Sequence, residues 1–304
     1  MKNKLLVGAT VLAASAIALA ATETEWQDSF PIGNYTMTPA GENPYWNLTP
    51  GRFVVLGSLE SDGTEFVVIS VLDETETVDG IEARVIEERE YKDGQLAEIS
   101  RNFFATAQET GDVFYFGEDV DYYENGAVTH HAGEWRAGVG DARAGLYMPH
   151  EPVVGMRYYM EVAPNVAMDR AEIFETDAVI DTRVGSFANT LVVTESSPLE
   201  PDDESYKRYA PGIGMIFDDG LELMKYGNRR PSERWFIEFR IDEEKLPATP
   251  ARVVRELHPS GEIREVKVEI RRSHARYAIE TFVDGKQWDV EVNDQGEVNR
   301  NERD

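Results

Sequence analysis

Asp62-Gly63, Asp79-Gly80, Asp93-Gly94 and Asn125-Gly126 recur between segments of strand length, and this spacing constrains the fold more than any other feature of the chain. A two-residue hairpin loop of type I′ needs positive φ at both central residues, which Asn, Asp and Gly tolerate and most residues resist. The intervening segments Arg52–Leu59, Phe66–Leu72, Glu82–Tyr91 and Gln95–Ala105 alternate large with polar side chains or run in β-branched residues, and none carries a helical period. Hairpin after hairpin without helices means an antiparallel sheet built from local connections.

Further strands are expected at Met156–Val162, Ala171–Asp181, Thr190–Glu195, Tyr206–Ala210, Met215–Phe217 and Leu221–Tyr226, the last closing a half-open barrel. Gly133–Pro152, with its glycines and prolines, reads as a long irregular loop, and Pro198–Asp203 as an acidic turn. Thr22–Pro50, rich in Pro, Gly, Asn and aromatic rings, is expected to plug one end of the β domain. Gly227-Asn228-Arg229-Arg230-Pro231 is the expected domain boundary. Beyond it come a strand at Trp235–Ile241, a short helix at Pro250–Leu257, and strands at Ile263–Arg271, Tyr277–Val283 and Gln287–Val292, with the sheet ending at Asp294–Gly296. The expected fold class is mainly β: an antiparallel meander or half-barrel over residues 21–228, then a small α+β module over 229–304.

The chain carries 57 acidic against 30 basic residues, a formal charge of −27, while 41% hydrophobic residues exclude disorder as the cause. Such a surface repels nucleic acid and anionic lipid and attracts cations and basic partners; it also suits a salty medium. Lys2 and Lys4, the apolar run Leu5–Leu19 and Ala18-Leu19-Ala20 read as a signal peptide over residues 1–20, which directs the mature chain to the periplasm or the exterior. No other stretch is apolar enough to span a membrane. With no cysteine there is no disulfide and no thiol chemistry, so the core and hydrogen bonds alone must hold the fold.

The densest candidate site surrounds Asn125-Gly126. Regular pairing sets Glu124 opposite Ala127, Tyr123 opposite Val128, Tyr122 opposite Thr129 and Asp121 opposite His130. Asp119, Asp121, His130 and Glu134 then share one face. Carboxylate oxygens suit Ca²⁺ or Mn²⁺, and an imidazole draws preference toward Zn²⁺ or Cu²⁺. The alternative is a solvated strand face on which a histidine pairs with an aspartate across strands. Asp119–Gly126 fails the EF-hand pattern in the place of its glycine and in its missing flanking helices. His131 falls on the opposite face as a half-buried structural residue, His150 lies in the long loop within reach of the site, and His258 and His274 read as surface residues. Asp202–Glu204, Asp218-Asp219 and Asp242–Glu244 read as solvated turns.

Enzyme signatures are missing: no G-x-S-x-G elbow, no H-E-x-x-H, no P-loop, and a Gly212-x-Gly214 that precedes a strand. Paired carboxylates for glycoside hydrolysis are uninformative where acids are so abundant. Rings from Tyr45 and Trp46 to Tyr123 and Trp135 read as core filling, with a ligand cavity as the alternative.

Asn43-Pro44-Tyr45-Trp46, Pro50-Gly51, Tyr115-Phe116-Gly117-Glu118, Tyr122–Gly126, Gly133-Glu134-Trp135, Met148-Pro149 and Ala210-Pro211-Gly212-Ile213-Gly214, in that order, resemble a family of exported bacterial proteins with no established activity. That resemblance covers Glu42 to Tyr226. Leu246 to Val298 is similar to PepSY-like domains, through the helix Pro250–Glu256, Gly261-Glu262-Ile263, the strand around Tyr277–Glu280 and Trp288-Asp289-Val290-Glu291-Val292. The resemblance implies an exported, non-catalytic module of the kind implicated in protease inhibition or metal binding. Arg271, Arg272 and Arg276 depart from an acidic metal site. The expectation is an exported binding protein without covalent chemistry, taking a divalent cation or a small ligand. Its alternatives are a module that captures an exported protein partner such as a protease through the C-terminal sheet edge or the patch Arg271, Arg272 and Arg276, and a hydrolase of envelope polymer.

Overall fold

The computed structural model describes residues 25–60, 63–228, 236–271 and 273–304, so the expected signal peptide and Arg229–Pro231 of the expected boundary lie outside the described residues. In chain order the strands are β1 (Met37–Thr38), β2 (Arg52–Glu60), β3 (Gly63–Val78), β4 (Ile81–Lys92), β5 (Gln95–Ala107), β6 (Val113–Glu124), β7 (Ala127–His130), β8 (Trp135–Arg136), β9 (Arg143–Met148), β10 (Arg157–Tyr159), β11 (Glu161–Val162), β12 (Arg170–Thr182), β13 (Gly185–Ser197), β14 (Glu200–Ala210), β15 (Gly214–Asp218) and β16 (Leu221–Asn228). Helix α1 (Ala248–Leu257) then interrupts a second series, β17 (Phe236–Ile241), β18 (Glu262–Arg271), β19 (Ala275–Val283), β20 (Lys286–Val292) and β21 (Val298–Arg303). Among the described residues no helix is long and apolar enough to cross a membrane.

Asp62 of the first expected turn lies outside the described residues, and the other Asx-Gly turns are as the sequence demands. Asp79, Asp93, Asn125 and Asp284 take φ of 49°, 49°, 52° and 49°, and each is followed by a glycine between 72° and 78°.

The first sheet runs β10-β12-β13-β14-β15-β16-β2-β3-β4-β5-β6-β9-β11, with β1 beside β5 and with β7 and β8 beside β6. β10 and β11 end that order, yet Met160 alone separates them in the chain: Arg157–Tyr159 pairs with β12 while Glu161–Val162 pairs with β9. The sheet therefore curls back on itself as a near-barrel. Gly145 in β9 permits this closure, because a Cβ there would lie 2.3 Å from the Met160 carbonyl oxygen and 2.5 Å from that of Tyr159.

Three expectations about the course of the strands need correction. Gly133–Pro152 is not an irregular loop: it carries β8 and the sealing strand β9, whose buried Ala144, Leu146 and Met148 outweigh the flanking glycines. The acidic run after Pro198 is strand from Glu200 onward, its exposed carboxylates on the solvent side of a hairpin that turns at Pro198-Leu199. The second sheet does not end at Gly296, since β21 adds a fifth strand against β20.

Burial is two-sided. Val54, Leu56, Val67, Ile69, Phe104 and Leu191 fill the barrel interior. Phe66, Val68, Tyr91 and Leu96, alternating with them on the same strands, face outward into a second core with Phe239, Val254, Val268, Tyr277 and Val290 of the C-terminal sheet and helix. Polar bonds lock this contact: the Tyr91 hydroxyl donates to the Arg271 carbonyl at 2.9 Å, the Ala275 N–H to the Gly94 carbonyl at 2.8 Å, and the Thr64 and Tyr277 hydroxyls to Asp294 Oδ1 at 3.1 and 3.0 Å. Burial raises the Asp294 carboxyl above its ordinary range even against these two donors.

Residues 25–50 cover one end of the barrel. Buried Asn43 pins them, donating to the Gly111 and Met148 carbonyls and accepting from the Tyr45 and Trp46 N–H groups. Trp46 enters the interior beside Tyr147 and Phe104, and Phe30 and Tyr35 pack on Phe114.

His258, expected at the surface, is buried: its Nε2 meets Asn301 Oδ1 at 2.9 Å and its ring packs on Trp288. Two of the three arginines expected to form a basic patch are paired in place. Arg271 and Arg276 both reach Glu269 Oε2, at 3.0 and 2.9 Å, and Arg276 also reaches Glu291, while Arg272 lies outside the described residues.

Two outcomes follow from this packing. Gly145→Ala should destabilise the fold by about 2–3 kcal/mol through backbone overlap at the seam, whereas Gly33→Ala, with open space around it, should shift the denaturation midpoint little. A chain cut before Phe236 should bind a hydrophobic dye strongly and lose soluble monomer on gel filtration, because the cut uncovers Phe66, Val68 and Tyr91.

Candidate functional site

Paired residues in neighbouring strands point to the same face, so register identifies what lines the barrel. Glu88 and Glu90 on β4 sit opposite Ile69 and Val67 of the inner core, and opposite Ser100 and Glu98 on β5. Glu98 in turn faces Tyr122 on β6, and Asn102 faces Glu118. From the far wall, Lys207 on β14 lies between Val193 of β13 and Asp218 of β15, with Glu195 one step along. Glu161 on β11 lies opposite Ala144 and projects among the same groups. The barrel interior thus holds a set of carboxyls over an apolar and aromatic base.

The base lies toward the plugged end. Phe104 stacks on Tyr115 with ring centroids 4.7 Å apart, Tyr147 lies 4.7 Å from Phe104 and 4.8 Å from Trp46, and Trp135 stands edge-on to Tyr115. The carboxyls lie toward the other end, where Asp93-Gly94 and Asn125-Gly126 turn. Lys207 pairs with Glu195 at 3.0 Å and Asp218 at 3.6 Å, and these side chains retain 22%, 12% and 25% exposure although strands surround them. They keep partial access to solvent although the sheet curls around them.

That enclosure reshapes their acidity. Burial pushes Glu88 up to about 8, against the pull of Lys207 and helped by Asp218, Glu90 and Glu118. Burial, then Glu98, lifts Glu90 to about 7. Glu118 reaches about 7 through burial, although the neighbouring Tyr115 hydroxyl draws it the other way. Glu161 is held well above the carboxylate range by burial and by Asp169 and Glu118. Burial by itself would lower the Lys207 ammonium, but Glu195 and Asp218 together outweigh it and hold the charge.

Four buried polar atoms of this interior complete no hydrogen bond with the protein: Trp46 Nε1, Trp135 Nε1, the Tyr158 hydroxyl and Glu161 Oε2. Trp135 is close enough to Glu161 to draw its acidity down, yet neither that indole N–H nor Oε2 reaches bonding geometry.

The four residues expected to share a face around Asn125-Gly126 are not brought together. Glu124–Ala127 and Tyr123–Val128 pair as expected, but a bulge between Tyr122 and Tyr123 sets Tyr122, not Asp121, opposite His130. His130 stacks flat on Tyr122 with centroids 4.4 Å apart. The one-residue slip delivers His131 in its place, with Nδ1 at 3.1 Å from Asp121, 3.3 Å from Glu134 and 2.9 Å from the Val120 carbonyl. Three acceptors around one ring nitrogen require it to carry a proton, and the backbone carbonyl, then Glu134 and Asp121, raise the His131 pKa. Asp119 is held instead by Arg136 at 2.7 Å. Among the described residues, no group of three or more His, Asp and Glu side chains stands in a metal-holding arrangement.

No family model matches the chain, and no curated protein or solved structure matches it either.

The interior carboxyls were missed at the sequence level. Their one available signal is Glu88 and Glu90 sharing a strand face with Ile86, two acids continuing an apolar row in a strand that is also apolar on its other side at Val85 and Tyr91. In the folded chain Glu88 keeps its proton up to about pH 8, whereas unfolded it releases it near 4.5. The folded state binds the extra proton in that window, so stability falls as pH rises through it. Glu88→Gln should therefore raise Tm above the parent by roughly 2–5 °C at the alkaline end of the window and by nothing at the acid end. Thermal melts of both chains across the window check this, and equal differences at both ends contradict it.

Proposed function

We propose that this is an exported, non-catalytic binding protein whose barrel interior is the ligand compartment. The observation that carries this reading is the inward row of Glu88, Glu90, Glu98 and Glu118 across from Lys207, Glu195 and Asp218. A barrel interior serving only as core would be filled with apolar side chains. Here acids stand directly opposite each other and polar atoms lack partners, an arrangement that costs stability and marks a site for something else. The PepSY-like likeness of the C-terminal module is consistent with export and binding, and the module's place is against the outer wall. The pairing of Arg271 and Arg276 disfavours capture of a partner through the arginine patch. The acidic exterior favours cations and basic partners, and a divalent ion held near Asp121, His131 and Glu134 would first have to displace the His131 proton.

Hydrogen exchange on the purified chain, with and without the low-molecular-weight extract of its host's envelope, tests the compartment. Amides of β4, β5 and β14 should slow by about tenfold or more, the mark of a ligand that closes local openings. Unchanged exchange in all three strands counts against the reading.

The hydrolase alternative draws on the same groups, since carboxyls titrating near neutrality suit a general acid. It requires turnover of an envelope polysaccharide or peptide that Glu118→Gln abolishes; turnover of that kind would replace the binding reading.

A further inference from the structure

We propose that the compartment takes a small organic cation, an ammonium group on an apolar stem, with the ammonium among Glu88, Glu118 and Glu161 and the stem on the rings of Trp46, Phe104 and Tyr147. This deepens the binding reading and rests on it. The Tyr115 hydroxyl donates to Asn102, which lies opposite Glu118 across the strands, and all three glutamates act on Tyr115 electrostatically just above the aromatic base. Glu161 is 6% exposed and presents Oε2 there without a protein partner. The positive charge on this wall, Lys207, is already committed to Glu195 and Asp218. An anion would meet unscreened carboxylates. A neutral ligand would leave them with the desolvation cost they already bear. A divalent metal finds no ready ligand set among the described residues. An ammonium supplies a donor for Glu161 Oε2 and a counter-charge for Glu88 and Glu118, and its stem gains cation–π and apolar contact from the rings below.

Binding then displaces protons. Lys207, Asp218, Glu90 and Glu118 face Glu88; Tyr115, Glu98, Asp169 and Asp119 face Glu118; Asp169, Glu118, Trp135 and Glu195 face Glu161. Acids dominate each of these settings, so near neutrality the empty site holds protons that an entering cation must expel. Affinity should rise with pH through the range about 7 to 8 in which Glu88 and Glu118 titrate.

Calorimetric titration of the full chain with 2-phenylethylamine, 2-phenylethanol and phenylacetate separates the cases, since the three differ in head-group charge on one stem. The amine should bind about tenfold or more tightly than the alcohol, with proton release seen as heats that vary with the ionisation enthalpy of the buffer, and phenylacetate should give no heat. Glu118→Gln and Glu88→Gln, each checked for a native circular-dichroism spectrum, should weaken the amine by a similar factor, and Asp121→Asn on the outer face should leave it unchanged. Equal or tighter binding of the alcohol or the acid overturns the cation inference and leaves the compartment standing. No heat with any of the three, together with unchanged exchange in β4, β5 and β14, removes both.

Discussion

In β2–β5 successive side chains enter two different cores: Val67 and Ile69 point into the barrel, and Phe66 and Val68 point onto the C-terminal sheet. A strand covered on both faces cannot slip by one residue without exchanging the contents of its two cores, so its register is strongly specified. The position of every inward acid depends on that register. If β4 moved by one step, Arg89 would enter the barrel and Glu88 would meet Val68 and Val268. The C-terminal sheet therefore does more than extend the chain. It makes the outer face of the barrel wall as demanding as the inner one.

The energetic character of the two faces differs. On the outer side, charges are paired at once: Arg89 with Glu87 at 2.7 Å, and Glu87 again with Arg101. On the inner side, Glu90 stands directly opposite Glu98 and no arginine enters the set. Like charges in directly opposed positions destabilise a sheet, and raised acidity constants are how the fold tolerates them, by keeping protons on. The chain thus pairs its outer carboxylates with arginines, whereas inside Glu195 and Asp218 share one lysine and Glu161 Oε2 completes no hydrogen bond. That contrast within one strand is what the proposed ligand reading rests on.

The hairpins were legible because Asx-Gly turn chemistry is local and needs no knowledge of the rest of the chain. Arg52–Leu59, Glu82–Tyr91 and Gln95–Ala105 were therefore found nearly to their ends. What failed was non-local. The bulge at Tyr122–Tyr123 adds one residue that no turn rule announces, and it exchanges His130 for His131 at the expected site. The sealing strand β9 was hidden among glycines, among them Gly145, whose missing side chain makes room for the Tyr159–Met160 backbone instead of marking a loop. The interior acids were hidden by abundance: among 57 carboxylates, inward and outward ones look alike until pairing partners are known.

The clamp between the modules explains how a hairpin with opposed acids stays closed. Glu90 and Glu98 lie close to the Asp93-Gly94 turn, where fraying begins and where their repulsion would pull β4 from β5. It is at this turn that the C-terminal sheet holds on: Ala275 N–H bonds to the Gly94 carbonyl, Gln295 to that of Asp93, Leu96 N–H to the Ser273 carbonyl, and Asp294 Oδ2 sits so close to Gly94 that a Cβ there would lie 2.5 Å from it. A barrel alone would have to relax this hairpin or lose one of its acids. With the second sheet docked, the opposed acids of β4 and β5 and the fit of the C-terminal sheet meet at a single turn.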